Sequence, residues 1–153
     1  MDKAKINNMV QEVEDCCGSF CTCEGLRIHG FSHLRRVAAV AGRIAAAVGE
    51  DIESAVVAGF LHDCARRHDG GGVDHAHDSA VLARDLLPMF YPRLDAVRLC
   101  DAIARHADGE TTEDMLAACV WDADRLELRR LGIEVDPDLL YTEIFWSLIS
   151  ITR

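Results

Sequence analysis

At 153 residues the chain has the size of one domain, since single cores commonly run to about 100–200 residues. Its 16 basic and 26 acidic residues leave a formal net charge of −10, which repels nucleic-acid backbones and anionic membranes rather than gathering them. No run of about 18 apolar residues is present, and Met1-Asp2-Lys3-Ala4-Lys5 lacks the apolar core of a secretion signal, so a cytoplasmic location is expected.

Half of the residues are apolar and only 6% aromatic, so the core must be mostly Ala, Leu, Val and Ile. Alanine and leucine favour helix. A first helix is expected over residues 2–17, stopping near Gly18. A second opens near Ser32 as N-cap and carries Leu34, Val37, Ala41, Ile44 and Val48 at helical spacing before Gly49. A third runs from about Asp51 through Phe60 and Leu61 to Arg66 and Arg67, and Gly70-Gly71-Gly72 then breaks the chain into a mobile loop. A fourth covers about 75–87 and ends against Pro88. A fifth begins at Pro92 in its first turn and reaches His106. Thr111 with Asp114 reads as a capping box opening a sixth, closed by Gly132. Asp136-Pro137 begins a seventh carrying Leu139, Leu140, Phe145 and Leu148. Seven helices and no credible strand predict an all-α single domain over 1–153.

Several polar residues fall where the core should be. His33 shares a helical face with Val37 and Ala41, Asp63 follows Gly59-Phe60-Leu61-His62, and Asp124 lies on the line of Leu116, Val120, Leu128 and Leu131. An ionised carboxylate in a core costs several kcal/mol unless it is compensated. Each residue alone has an ordinary explanation: a hydrogen-bonded core histidine, or a carboxylate paired with Arg125 or Arg129. Together, His33, His62, Asp63 and Asp124 offer imidazole nitrogens and carboxylate oxygens that suit one divalent Fe, Mn, Co, Ni or Zn ion, with Mg also admissible.

The order His, His-Asp, Asp resembles the HD superfamily of metal-dependent phosphohydrolases. It is carried by "HGFSHLRRVA", "AGFLHDCAR" and "VWDADRLEL", and covers about residues 28–145. The resemblance implies an all-α HD-type bundle that hydrolyses a phosphate ester of a small molecule, a nucleotide or a related metabolite, with Asp124 rather than Asp122 as ligand. It places Asp63 at the attacking water and Arg66 on a substrate phosphate. A bound dication can lower the pKa of water to about 7. In some branches further histidines hold a second ion, and His75 in "HAHDSA" and His106 in "AIARHADG" match them. One ion is expected and two are admissible; His75 and His106 otherwise bind phosphate or act as acid, with His106 and His75 both candidates for the general acid. His29, His68 and His77 read as surface residues. Ala107 stands where the diguanylate-cleaving branch has a second histidine, which argues against a cyclic dinucleotide.

Seven cysteines in a chain with its own core are expected to be thiols. Cys64, Cys100 and Cys119 read as buried. Cys16, Cys17, Cys21 and Cys23 crowd into one turn at a spacing unlike a common zinc knuckle. Two other classes compete: a non-catalytic HD domain that binds metal and nucleotide to signal a partner, and a structural thiol-rich module. A small phosphorylated substrate is expected, with no nucleic-acid duplex and no membrane.

Overall fold

The computed structural model describes residues 2–135 and Leu140. Six α-helices and no strand are present among them: α1 (Lys3–Cys17), α2 (Phe31–Val48), α3 (Ile52–Leu61), α4 (Asp74–Phe90), α5 (Ala96–Ala104) and α6 (Met115–Leu128). The helix expected from Asp136 onward lies outside the described residues.

The central helix is α3, in which Ser54 through Leu61 are all buried. It packs most extensively on α2, and α2 in turn meets α1 and α6. Two glycines set the closeness of these contacts. A Cβ on Gly59 would stand 2.9 Å from Ala38 Cα and 3.2 Å from Ala41 Cβ, so α3 rests on the backbone of α2. A Cβ on Gly42 would stand 2.7 Å from Val56 Cγ2. Ile6, Val10 and Val13 of α1 cover one side of this pair, and Leu116, Val120 and Trp121 of α6 close another. No helix of the described residues is long and apolar enough to cross a membrane.

Helix ends depart from the pattern reading in physically simple ways. α2 opens two residues earlier, with Gly30 as an N-cap that offers no side chain, while Ser32 Oγ instead accepts from Arg36. α3 stops at Leu61 rather than Arg66, because residues after it tighten into turns in which Cys64 N bonds Leu61 O and Arg66 N bonds Asp63 O. α4 passes through Pro88 to Phe90; the proline is exposed, and Tyr91 N still reaches Leu87 O at 2.7 Å. α5 does not begin at Pro92, since the Asp95 carboxylate caps it by accepting from Arg98 N. At α6 the cap is Asp114 itself, accepting from Ala117 N, while Thr112 Oγ1 accepts from Asp114 N. Gly132 ends the segment at φ 75°, in the left-handed region that favours glycine. Cys100 is half-buried rather than buried: the inward stripe of α5 is Leu99, Ala102 and Ile103, and Cys100 lies on its flank.

Gly59→Ala is expected to destabilise the protein by about 1–3 kcal/mol through overpacking against α2. Gly71→Ala, which meets nothing within 4 Å, should change it by less than about 0.5 kcal/mol. Denaturant unfolding of the two variants checks the difference.

Candidate metal centre

The turn that ends α3 carries His62 and Asp63 to the place where α2 brings His33 and α6 brings Asp124. His33 Nε2 lies 3.2 Å from His62 Nε2, 3.2 Å from Asp124 Oδ1 and 3.7 Å from Asp63 Oδ2. His62 Nε2 lies 3.4 Å from each of the two carboxylates. Four donors at about 2.0–2.2 Å from one ion stand about 2.8–3.6 Å apart in tetrahedral or cis-octahedral order. Five of the six separations among these four atoms, all but that between the two carboxylates, are therefore close to those of a coordination sphere. His62 is fully buried, and its Nδ1 donates to Gly59 O at 2.7 Å, which leaves Nε2 as the nitrogen turned to the centre.

Asp63 uses both oxygens. Oδ2 faces His33 and His62, while Oδ1 lies 3.4 Å from His75 Nε2 and 3.4 Å from His106 Nε2. His75 comes from the first turn of α4 and His106 from the residues just after α5. His106 Nδ1 donates to Ile103 O at 2.7 Å, so its Nε2 too is the free nitrogen. The structure thus brings together all six histidine and aspartate residues singled out by their positions in the sequence. Among the described residues, the groups of three able to hold an ion are His33, His62 and Asp124; His62, Asp63 and His106; and His29, His33 and Asp63. None contains a cysteine.

The charges are strongly coupled. Burial opposes ionisation of Asp63, yet His62 and His106 beside it hold its carboxyl well below the usual range. Asp124 behaves alike, with His62 and His33 outweighing burial. Burial also opposes a charge on His62, but the Asp63 and Asp124 carboxylates raise its pKa to about 9. His75 moves the other way: burial takes it to about 4 against the pull of Asp63.

Arg66 is neither solvated nor at a helix end. Its NH1 lies 3.2 Å from Asp63 Oδ2, its Nε donates to His68 O at 3.0 Å, and its NH2 donates to Gly70 O at 2.7 Å. The loop read as a mobile break is therefore tied to the His-Asp turn at two carbonyls. It is tied again by Asp69, a residue that carried no pattern in the sequence. The Asp69 carboxylate accepts from the backbone N–H groups of Arg27, Ile28 and His29 and from His29 Nδ1 at 3.0 Å. His29 is accordingly half-buried beside His33, with ring centroids 5.2 Å apart, and is not the surface residue its position suggested. Burial lowers its basicity although Asp69 opposes the shift. His68 and His77 are exposed.

The cysteine turn is bolted to the same segment through Thr22, whose N–H donates to Cys64 O at 2.9 Å and whose hydroxyl donates to Arg66 O at 3.2 Å. From α4, Ser79 Oγ accepts from Ala65 N. Cys17 and Cys23 are buried, Cys16 and Cys21 half-buried, and all seven cysteines are free thiols.

Residues 30–129 match the sequence model of the family described as HD domain. The chain belongs to the HD domain family. It is 34% identical over 105 residues to Ribonuclease Y of Oceanobacillus iheyensis, and 32% identical over 107 residues to Ribonuclease Y 1 of Pediococcus pentosaceus. Those matches cover 68% and 69% of this chain but 19% of each relative, so the HD chain spans about a fifth of the length of the curated relatives it matches. A solved HD superfamily hydrolase from an uncultured Thermotogales bacterium superposes with a TM-score of 0.65 at 26% identity, covering 95% of this chain and 87% of that one. The fold is that of an HD superfamily hydrolase.

Removing one partner of a buried ion pair costs about 3–5 kcal/mol when the other charge has no substitute. Arg66→Ala should show a loss of that order in metal-free protein and a smaller one with Mn present, because a dication can compensate Asp63. Unfolding titrations with and without Mn check this. The raised pKa of His62 adds a pH dependence. Its contribution to metal-free stability should be complete below about pH 6.5 and vanish as the pH rises through about 9. His62→Gln should flatten that part of the stability–pH curve.

Proposed function

We propose that this HD domain is a metal-dependent phosphohydrolase acting on a phosphate ester of a small molecule, such as a nucleotide or a related metabolite. The observation that carries the reading is the convergence of His33, His62, Asp63 and Asp124 with donor atoms at ligand-like separations. These four residues would hold one ion. His75, His106 and the second oxygen of Asp63 would hold another. When bound, such ions supply Lewis acidity that neutralises phosphoryl oxygens and makes water nucleophilic near neutral pH.

The chain's own groups do the rest. Asp63, fixed by Arg66, orients the attacking water or, in the one-ion form, accepts its proton on the oxygen left free. Arg66 sets the position of Asp63 and keeps positive charge beside the centre, where charge would develop on the phosphoryl group. In the one-ion form His106 Nε2, 3.4 Å from Asp63 and held by Ile103 O, is placed to deliver a proton to the leaving oxygen. In the two-ion form His106 and His75 are ligands.

A second reading, cleavage of RNA phosphodiesters, is favoured by one observation, the likeness to two proteins named Ribonuclease Y. Elemental analysis of purified protein, then a screen of phosphorylated metabolites beside short RNA oligonucleotides, separates these readings. Turnover of a mononucleotide or sugar phosphate without RNA cleavage is expected; RNA cleavage alone would replace the small-molecule reading. Metal bound with no turnover of either class would leave a non-catalytic binding domain.

Two outcomes follow for the ligands. His33→Ala and Asp124→Ala should each remove most bound metal after dialysis, and full occupancy in both would overturn the four-residue assignment. Metal-to-protein stoichiometry in Mn-saturated protein should approach two, and fall on His75→Ala or His106→Ala, if the second site is used. A value near one, unmoved by either change, leaves His106 as the proton donor. In that form Arg66→Ala should lower kcat by about two to three decades with metal content unchanged, and Arg66→Lys should recover part of the loss.

A further inference from the structure

Outside the six histidines and aspartates gathered at the centre, one histidine shares the signature of those turned to it. A metal-ligating histidine characteristically donates its other ring N–H to a carbonyl or carboxylate, which fixes the tautomer and the ring plane. His62 does so to Gly59 O and His106 to Ile103 O. His29 does so to Asp69 Oδ1 at 3.0 Å. Asp69 accepts only, so Nδ1 carries the proton and Nε2 is the nitrogen left to bind something else. A donor nitrogen of His29 lies within 4.8 Å of donor atoms of both His33 and Asp63. The side chain is 13% exposed against 2% for His33, which sets it on the solvent side of the pair.

The support behind His29 is more elaborate than a surface residue needs. Asp69 gathers three consecutive backbone N–H groups, from Arg27, Ile28 and His29, besides the ring. Asp69 itself lies between His68 and Gly70, whose carbonyls Arg66 holds while its NH1 holds Asp63. A continuous chain of hydrogen bonds therefore runs from Asp63 through Arg66 and the loop to Asp69 and His29.

We propose that His29, oriented by Asp69, supplies a further ligand to the ion held at His33 and Asp63, on the side of the centre nearer solvent. The proposal rests on the metal-dependent reading given above. It extends the ligand set by one residue and makes Asp69 its positioning partner.

The test uses Co(II) alone as probe, with competition titration for affinity and the visible absorption bands for coordination number. In His29→Gln the amide can keep the bond to Asp69 while the imidazole is lost. Co(II) binding should weaken roughly 10–100-fold, and the bands should intensify as the coordination number falls. Asp69→Asn should weaken binding by roughly tenfold or more, and His77→Ala, at an exposed position outside this chain of bonds, should leave affinity and spectrum as in the parent. Circular dichroism establishes that each variant is folded, and His29→Ala replaces the glutamine variant if that one is not. A folded His29 variant with parental affinity and bands overturns the proposal while leaving the four-residue centre standing. A parent chain that takes up no Co(II) overturns the metal-dependent reading itself.

Discussion

Asp63 holds its negative charge at 1% exposure, and the interior of the protein is arranged around that charge. Left alone, a buried carboxylate would cost several kcal/mol or would be protonated. Here two histidines face Oδ2, two face Oδ1, and an arginine lies against its edge. Each partner comes from a different place: α2, the turn after α3, the start of α4, the end of α5 and the loop. The close approach of α3 to α2 at Gly59 matters for this reason. It brings the turn carrying His62 and Asp63 down onto the helix carrying His33, and the Gly59 carbonyl then sets the His62 tautomer.

The same charge organises the segments that lie outside regular helices. Arg66 links Asp63 to the carbonyls of His68 and Gly70, and Asp69 links that loop to residues 27–29. Thr22 fastens the cysteine turn to the carbonyls of Cys64 and Arg66. Irregular backbone is thereby supplied with partners, as buried peptide groups require. The loops beside the centre gain a fixed position without being part of a helix. Among the described residues no buried side-chain nitrogen or oxygen lacks a hydrogen-bond partner.

Most of this was legible where a residue type broke a period. His33, Asp63 and Asp124 stood out because a polar group on an apolar stripe demands an explanation, and the helices themselves followed from spacing. The ends of helices were less legible, because a cap is chosen by local geometry: Asp95 and Asp114 each won over a neighbouring proline or threonine. Loop residues left no periodic trace at all. Asp69 lies between His68 and Gly70 in a polar stretch, and only the folded path of residues 27–29 shows what its carboxylate receives. His29 was misread for the same reason, since its burial comes from that long-range contact and not from its place in a helix. Arg66 matched a family position, yet its bonds to two loop carbonyls depend on how the glycine-rich loop returns.

The charge pattern bears on which phosphate ester suits such a centre. A long polyanion is held by a track of unpaired Lys and Arg, each displacing counterions from the backbone. In this chain of net charge −10 many arginines are already committed. Arg35 pairs with Glu14, Arg36 and Arg130 with Glu127, Arg98 with Glu50 and Asp114, and Arg105 with Asp101 and Glu110. Together these groups set five arginines against six carboxylates and so present no net positive charge to a passing strand. A small phosphate ester needs no such track, because ions held at the proposed centre would reverse the local sign over the few ångströms it occupies. Most of the length of each Ribonuclease Y lies beyond the region matched by this chain, so a track for RNA in those proteins need not lie on the HD fold.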